Sequence, residues 1–267
     1  MRRARLLVLL SLAIFASPLY AADALRLMVQ PVLNEAQTRK AFAPLAAFLA
    51  NVAGRPVEIA TAPNFLAYWD RLSRHNYDLA LDAAHFTDWR VQKFGFDILG
   101  KVPDTVSYSL ITLDDNPILD PSELIARRVA TLGSPSIGAA RLNALFPNPV
   151  RKPLIMEVDS AEQGIEWLAA KKVDAAILPT PLVSQEMARR GNIAVVLTTD
   201  PIPHIALSAS PRLAATLRDN LRRALLAAHR SPEGKAMLKR IGFERFDAAT
   251  PSVYAGQANI LKEYWGF

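Results

Sequence analysis

A chain of 267 residues with 51% hydrophobic content is long enough to bury one sizeable core or two smaller ones. It has no cysteine, which excludes disulfides, thiolate metal sites and a lipid-modified cysteine anchor. Its formal charge of +6 includes three arginines near the start and is too mild to point to nucleic acid.

Residues 1–21 read as an export leader. Arg2, Arg3 and Arg5 are followed by an apolar run from Leu6 to Ala16, then Ser17-Pro18-Leu19-Tyr20-Ala21. The run is too short to span a bilayer, which needs roughly 20 apolar residues, so cleavage after Ala21 or Ala22 is expected. The remaining chain begins with a short strand, Leu25 to Gln30, stopped by Pro31. Glu35 to Val52 carries Phe42, Leu45, Leu49 and Val52 at helical spacing, and Gly54-Arg55-Pro56 ends that helix. A strand over Val57–Ala60, a helix over Phe65–Leu72 and strands over Tyr77–Leu81, Phe96–Val102 and Ser107–Leu113 follow.

A second series starts at Asp120-Pro121-Ser122-Glu123, a cap followed by first-turn proline that predicts a helix start. Strands at 128–132, 154–158, 173–178 and 193–197 alternate with helices at 137–146, 160–171 and 182–190. After Pro201-Ile202-Pro203 comes a strand over His204–Ala209, then helices over 211–229, 232–241 and 251–265. Strand–helix alternation implies an α/β fold with mostly parallel sheets covered on both faces. Two series imply two sheets, and ligands in such folds sit beyond the strands' carboxyl ends. The expected division is 22–107 with 204–267 as lobe one and 108–203 as lobe two, with a cleft between them and two hinge crossings.

At this point the sequence resembles the phosphate/phosphite/phosphonate-type family of periplasmic solute-binding proteins, the capture subunits of ABC importers. The residues that carry the likeness are Gly54-Arg55-Pro56-Val57, Asn76-Tyr77-Asp78-Leu79-Ala80, Asn116-Pro117-Ile118, Gly133-Ser134-Pro135-Ser136, Val173-Asp174-Ala175-Ala176, Ser231-Pro232-Glu233-Gly234-Lys235 and Ile241-Gly242-Phe243. The resemblance implies a two-lobed type II periplasmic-binding-protein fold, no catalysis and no cofactor. It further implies delivery of a small, anionic, phosphonate-, phosphite- or phosphate-like ligand to an inner-membrane ABC permease. A monomer, free in the periplasm, is the matching expectation. The alternative is a sensing component of the same build that reports to a membrane signalling protein.

Family members hold an anion with a hydroxyl cluster at a helix N-terminus, where unpaired N–H groups favour negative charge. The matching positions are Ser134 and Ser136, although Ile137 and Gly138 stand where further hydroxyls belong. Asp82 and His85 follow the third strand at its carboxyl end and are ligand candidates. Asp82 capping a helix at Ala83 is the plainer alternative. Asn64 and Phe65 open a helix at a strand end, Gln30 ends the first strand, Tyr108 lies at the first crossing and Thr180 ends a later strand. Tyr68 and Trp69 read as core, and His204 as a hinge residue. No nucleophile elbow, phosphate loop or metal-ligand spacing occurs, so neither a catalytic nor a metal residue is expected.

Overall fold

The computed structural model describes residues 23–264 together with 266 and 267; the expected leader, residues 1–21, lies outside them. The first series is β1 (Leu25–Val29), α1 (Glu35–Ala53), β2 (Val57–Ala60), α2 (Phe65–Ser73), β3 (Leu79–Asp82), α3 (Ala84–Phe94) and β4 (Asp97–Lys101). A short β5 (Thr105–Val106) leads into β6 (Tyr108–Leu113). The second series continues with β7 (Arg128–Thr131), α4 (Ile137–Leu145), β8 (Leu154–Glu157), α5 (Ala161–Ala169), β9 (Ala175–Pro179), α6 (Thr180–Arg190) and β10 (Ile193–Thr198). Then β11 (Ile202–Pro203) returns the chain to β12 (Ala206–Ala209), α7 (Ala215–Ala227) and α8 (Pro232–Ile241).

Two five-stranded sheets result, in the orders β2-β1-β3-β12-β4 and β10-β6-β9-β7-β8. In each, four strands share one direction and one opposes them: β12 in the first, β6 in the second. The odd strand is in each case the one that has just crossed from the other sheet. Parallel strands aim their carboxyl ends at the crossings, so a chain arriving there must run back the opposite way. β5 and β11 pair antiparallel, which holds the two crossings side by side.

Local signals set the element ends. Asn34 and Gln37 cap α1 reciprocally, and Gly54 ends it at φ 66°, a left-handed turn that glycine takes without Cβ strain. Strands β3 and β12 are buried along their whole length, as strands covered on both faces must be. Leu27, Leu45, Leu81, Leu207 and Leu225 form the core between the first sheet and α1, α7 and α8. A second apolar cluster joins Phe65, Tyr68, Trp69 and Phe86 of the first half to Leu132, Val158 and Ile165 of the second.

Two expected helices are not formed. The Asp120 cap and its Glu123 partner are in place, but only a 3-10 turn over Pro121–Leu124 follows. Ile125 has already left helical ψ at 127°, and Ala126 turns left-handed at φ 63° before β7. The expected helix over 251–265 is two 3-10 turns, Pro251–Val253 and Gln257–Leu261, parted by Gly256 at φ 84°. Among the described residues no helix is long and apolar enough to cross a membrane.

Candidate functional site

Asp82 ends β3 where a pocket residue was expected, yet its carboxylate is wholly engaged inside the first half. Oδ1 accepts from Arg90 Nη2 at 2.5 Å, and Oδ2 accepts from Arg90 Nη1 and Tyr68 Oη, both at 2.7 Å. Neither charged side chain has any solvent exposure. Burial opposes the Arg90 charge, but the Asp82 carboxylate outweighs it and holds that pKa above its ordinary value. Arg90 Nη2 also donates to Ser208 Oγ at 3.1 Å, so the pair fastens the returning strand β12 to α2, β3 and α3. Asp82, expected as a ligand contact, is thus buried on Arg90 and Tyr68 and is not among the residues that line the cavity described below.

His85 lies one helical position into α3, fully buried. Its Nε2 is 3.0 Å from the Pro135 carbonyl, which can only accept, so Nε2 carries the proton. Burial pushes its pKa down to about 3, which keeps the ring neutral, and Nδ1 is buried without a partner. This bond bridges the two halves, as does Ala161 N–H donating to the Val32 carbonyl at 3.1 Å. Ser136 caps α4, its Oγ accepting from Ala139 N–H at 3.2 Å, and is almost fully buried. Ser134 precedes a cis bond to Pro135 and is half-buried. Ile137, where a hydroxyl was expected, packs on Ala83, Val106 and Ile202.

Three further expected residues are not among those that line the cavity described next. Asn64 is exposed and caps α2 through Ala67 N–H. Phe65 is core, stacked on Phe86 at 6.2 Å. Thr180 opens α6, and its Oγ1 bonds the hydroxyls of Ser107 and Ser109 at 3.0 and 2.9 Å, tying the first crossing to the second sheet. These are cap, packing and tethering roles.

A cavity of about 710 Å³ lies where the halves meet at the crossings. The first half contributes Val29, Gln30, Val32, Leu33, Thr38, Phe42, Leu81, Ala83 and the stretch Gly242–Glu244. The crossings contribute 102–106 and 203–205, and the second half Tyr108, Ala161, Glu162, Pro179, Pro181 and Leu182. Gln30 and Tyr108, both expected, therefore line it. The Gln30 amide is pinned, its Oε1 accepting from Ala83 N–H at 3.0 Å. Burial pushes the Tyr108 phenol above its ordinary pKa, so it stays protonated. His204, read as a hinge residue, also faces this space. Its Nδ1 accepts from Ile205 N–H at 2.8 Å, and burial together with Lys101 lowers its pKa to about 4.

The apolar lining from Leu33, Phe42, Leu182 and Phe243 was missed. Leu33 and Leu182 sit beside helix starts at strand carboxyl ends, a legible position. Phe42 and Phe243 reach the cavity through packing, which leaves no local trace. Among the described residues no cluster of three His, Cys, Asp or Glu side chains is placed to hold a metal.

Known structures share this architecture. PhnD1 from Prochlorococcus marinus, in complex with methylphosphonate, superposes with TM-score 0.74 at 15% identity over 89% of this chain and 97% of that one. XAC2383 from Xanthomonas citri, bound to ATP, gives 0.70 at 16% identity over 89% and 98%. An ancestral arginine-binding protein bound to arginine gives 0.59 at 13% over 83% and 99%. At such identities the likeness is one of fold, that of type II periplasmic binding proteins. No curated protein matches the chain in sequence. The model of the family described as ABC transporter, phosphonate, periplasmic substrate-binding protein matches residues 27–254, and the chain belongs to that family.

Proposed function

We propose that this chain captures its solute in the cavity at the two crossings and presents it to an inner-membrane ABC permease, acting by binding alone. The lobes are 22–107 with 204–267 and 108–203, and the protein is an exported monomer free in the periplasm. The single observation that carries this reading is the cavity, about 710 Å³, lined from both sheet halves and both crossings. That size lies within the ~300–1,000 Å³ of sites that enclose small organic ligands. Segments crossing side by side are also where hinge closure concentrates its backbone rotation.

Native mass spectrometry of protein purified from periplasm tests the reading. The expected spectrum shows a chain beginning at Ala22 or Asp23 and carrying one small molecule, lost on unfolding. A bare polypeptide that no solute stabilises against heat contradicts capture.

A further inference from the structure

We propose that the pole of the second sheet turned away from the cavity is a contact surface for an anionic phospholipid bilayer, held weakly and reversibly by cations and exposed aliphatic side chains. The proposal goes beyond solute capture and does not depend on it.

Charge along the chain is the first observation. Residues 124–156 include Arg127, Arg128, Arg141, Arg151 and Lys152 and no aspartate or glutamate. Folding gathers all of these except Arg141 at one place. Ala126 N–H donates to the Lys152 carbonyl at 3.1 Å and Leu154 N–H to the Arg127 carbonyl at 2.8 Å, while Arg128 stands opposite Leu154 in the β7–β8 ladder. The turn Val150–Lys152 therefore lies against Ala126–Arg128, and Arg127, Arg128, Arg151 and Lys152 are all exposed.

The acids of this pole are paired, turned aside or distant. Asp174 pairs with Arg128 Nε at 3.4 Å, and Asp115 with Lys171 Nζ at 2.6 Å. The carboxylates of Asp120 and Glu123 accept from backbone N–H groups of their own turn. Asp114 follows β6, which is three places from β8 in the sheet order. At ~4.8 Å per strand that is about 14 Å, beyond a screening length of about 8 Å. Among the described residues, Arg127, Arg151 and Lys152 form no ion pair, so their charge faces outward uncompensated.

Apolar exposure is the second observation. Val150 projects from the same turn with 86% of its surface open, and Leu154, at the start of the edge strand β8, with 56%. Aliphatic tips beside unpaired cations suit a bilayer, whose headgroups carry negative charge and whose acyl boundary takes up apolar groups. A soluble polyanion offers only the first of these. Each lysine or arginine near an anionic surface strengthens partitioning about fivefold, so three give about 100-fold. That concentrates the protein at a membrane without anchoring it.

The placement leaves the cavity free. β7, β8 and β9 run in parallel from this pole toward the crossings, where Pro179 at the end of β9 lines the cavity. Neither the four cations nor Val150 line it. A chain resting on lipid by this pole keeps its cavity turned away from the bilayer.

Co-sedimentation of the purified protein with vesicles tests the proposal. Binding is expected to equal mixtures of phosphatidylglycerol and phosphatidylcholine but not to phosphatidylcholine alone, and to be lost at about 1 M salt, where the screening length shrinks to about 3 Å. These arms use the wild type and need no variant to fold. Arg151→Glu with Lys152→Glu, in an exposed turn, should weaken binding at least about 25-fold. Lys40→Glu with Arg240→Glu, exposed cations of the first half, should leave it unchanged. Val150→Ser should weaken it about fourfold, the contribution of one buried methylene. Absence of vesicle binding, equal binding to phosphatidylcholine alone, or equal losses in the two charge-reversal pairs overturns the proposal. Val150→Ser without effect also overturns it, since the surface would then suit any polyanion. None of these outcomes bears on solute capture, which titration of the ligand reads separately.

Discussion

Asp82 and Arg90 place opposite charges where no water reaches, and they are tolerable there because each satisfies the other with two parallel hydrogen bonds. Removing one partner strands the other. Asp82→Asn should therefore cost about 3 to 5 kcal/mol of unfolding free energy in urea, since the Arg90 charge stays buried and uncompensated. A loss below about 1 kcal/mol would show that the pair carries no such burden. The sequence displays Asp82 at a strand end, where pocket residues gather. Its partner eight positions later on α3 is what turns it inward, and only packing reveals that. The histidines give a second residue-level expectation. His85 and His204 resist protonation down to about 3 and about 4 when folded, whereas the unfolded chain protonates near ~6.5. Their stability contribution is fully present above that value and is lost as pH falls through the window beneath it. The melting temperature should drop between about pH 7 and pH 4, and less steeply in His85→Gln; an equal slope in the variant would exclude His85 as a source.

Elements were legible wherever the cue was local. Gly54, and Ser231 before Pro232, each mark a boundary that the chain honours. Cues misled where a cap had no helix to serve. Asp120 and Glu123 cap each other, but Ala126 turns away after one turn, and Gly256 interrupts the last segment. Strand order was not legible at all. The insertion of β12 between β3 and β4 is settled by long-range packing and by the Arg90–Ser208 contact, which no neighbouring residues announce. One element carries a sharp steric test. A Cβ on Gly234, in the first turn of α8, would lie 2.2 Å from the Ala228 carbonyl oxygen. Backbone cannot yield as a flexible side chain can, so Gly234→Ala should lower stability by about 1 to 3 kcal/mol or more. Thermal melts read this directly, and an unchanged midpoint would mean that α8 shifts freely against the turn before it.

For the whole molecule, the two-series alternation was enough to give two sheets and two crossings. Which residues line the cavity at the crossings was only partly readable. Gln30 and Tyr108 line it because they end or begin strands at the crossings, and Thr180, equally placed, spends its hydroxyl on Ser107 and Ser109 instead. At the expected anion seat, His85 Nε2 bonds the Pro135 carbonyl between Ser134 and Ser136, and neither serine is among the residues lining the cavity. The direct test of capture in that space is calorimetric titration of the protein's ligand into the wild type and Leu182→Trp. The indole would occupy volume at the cavity wall, so affinity should fall by at least about 100-fold while the melting temperature of the free protein barely moves. Undiminished binding by the variant would place the ligand elsewhere and contradict the account.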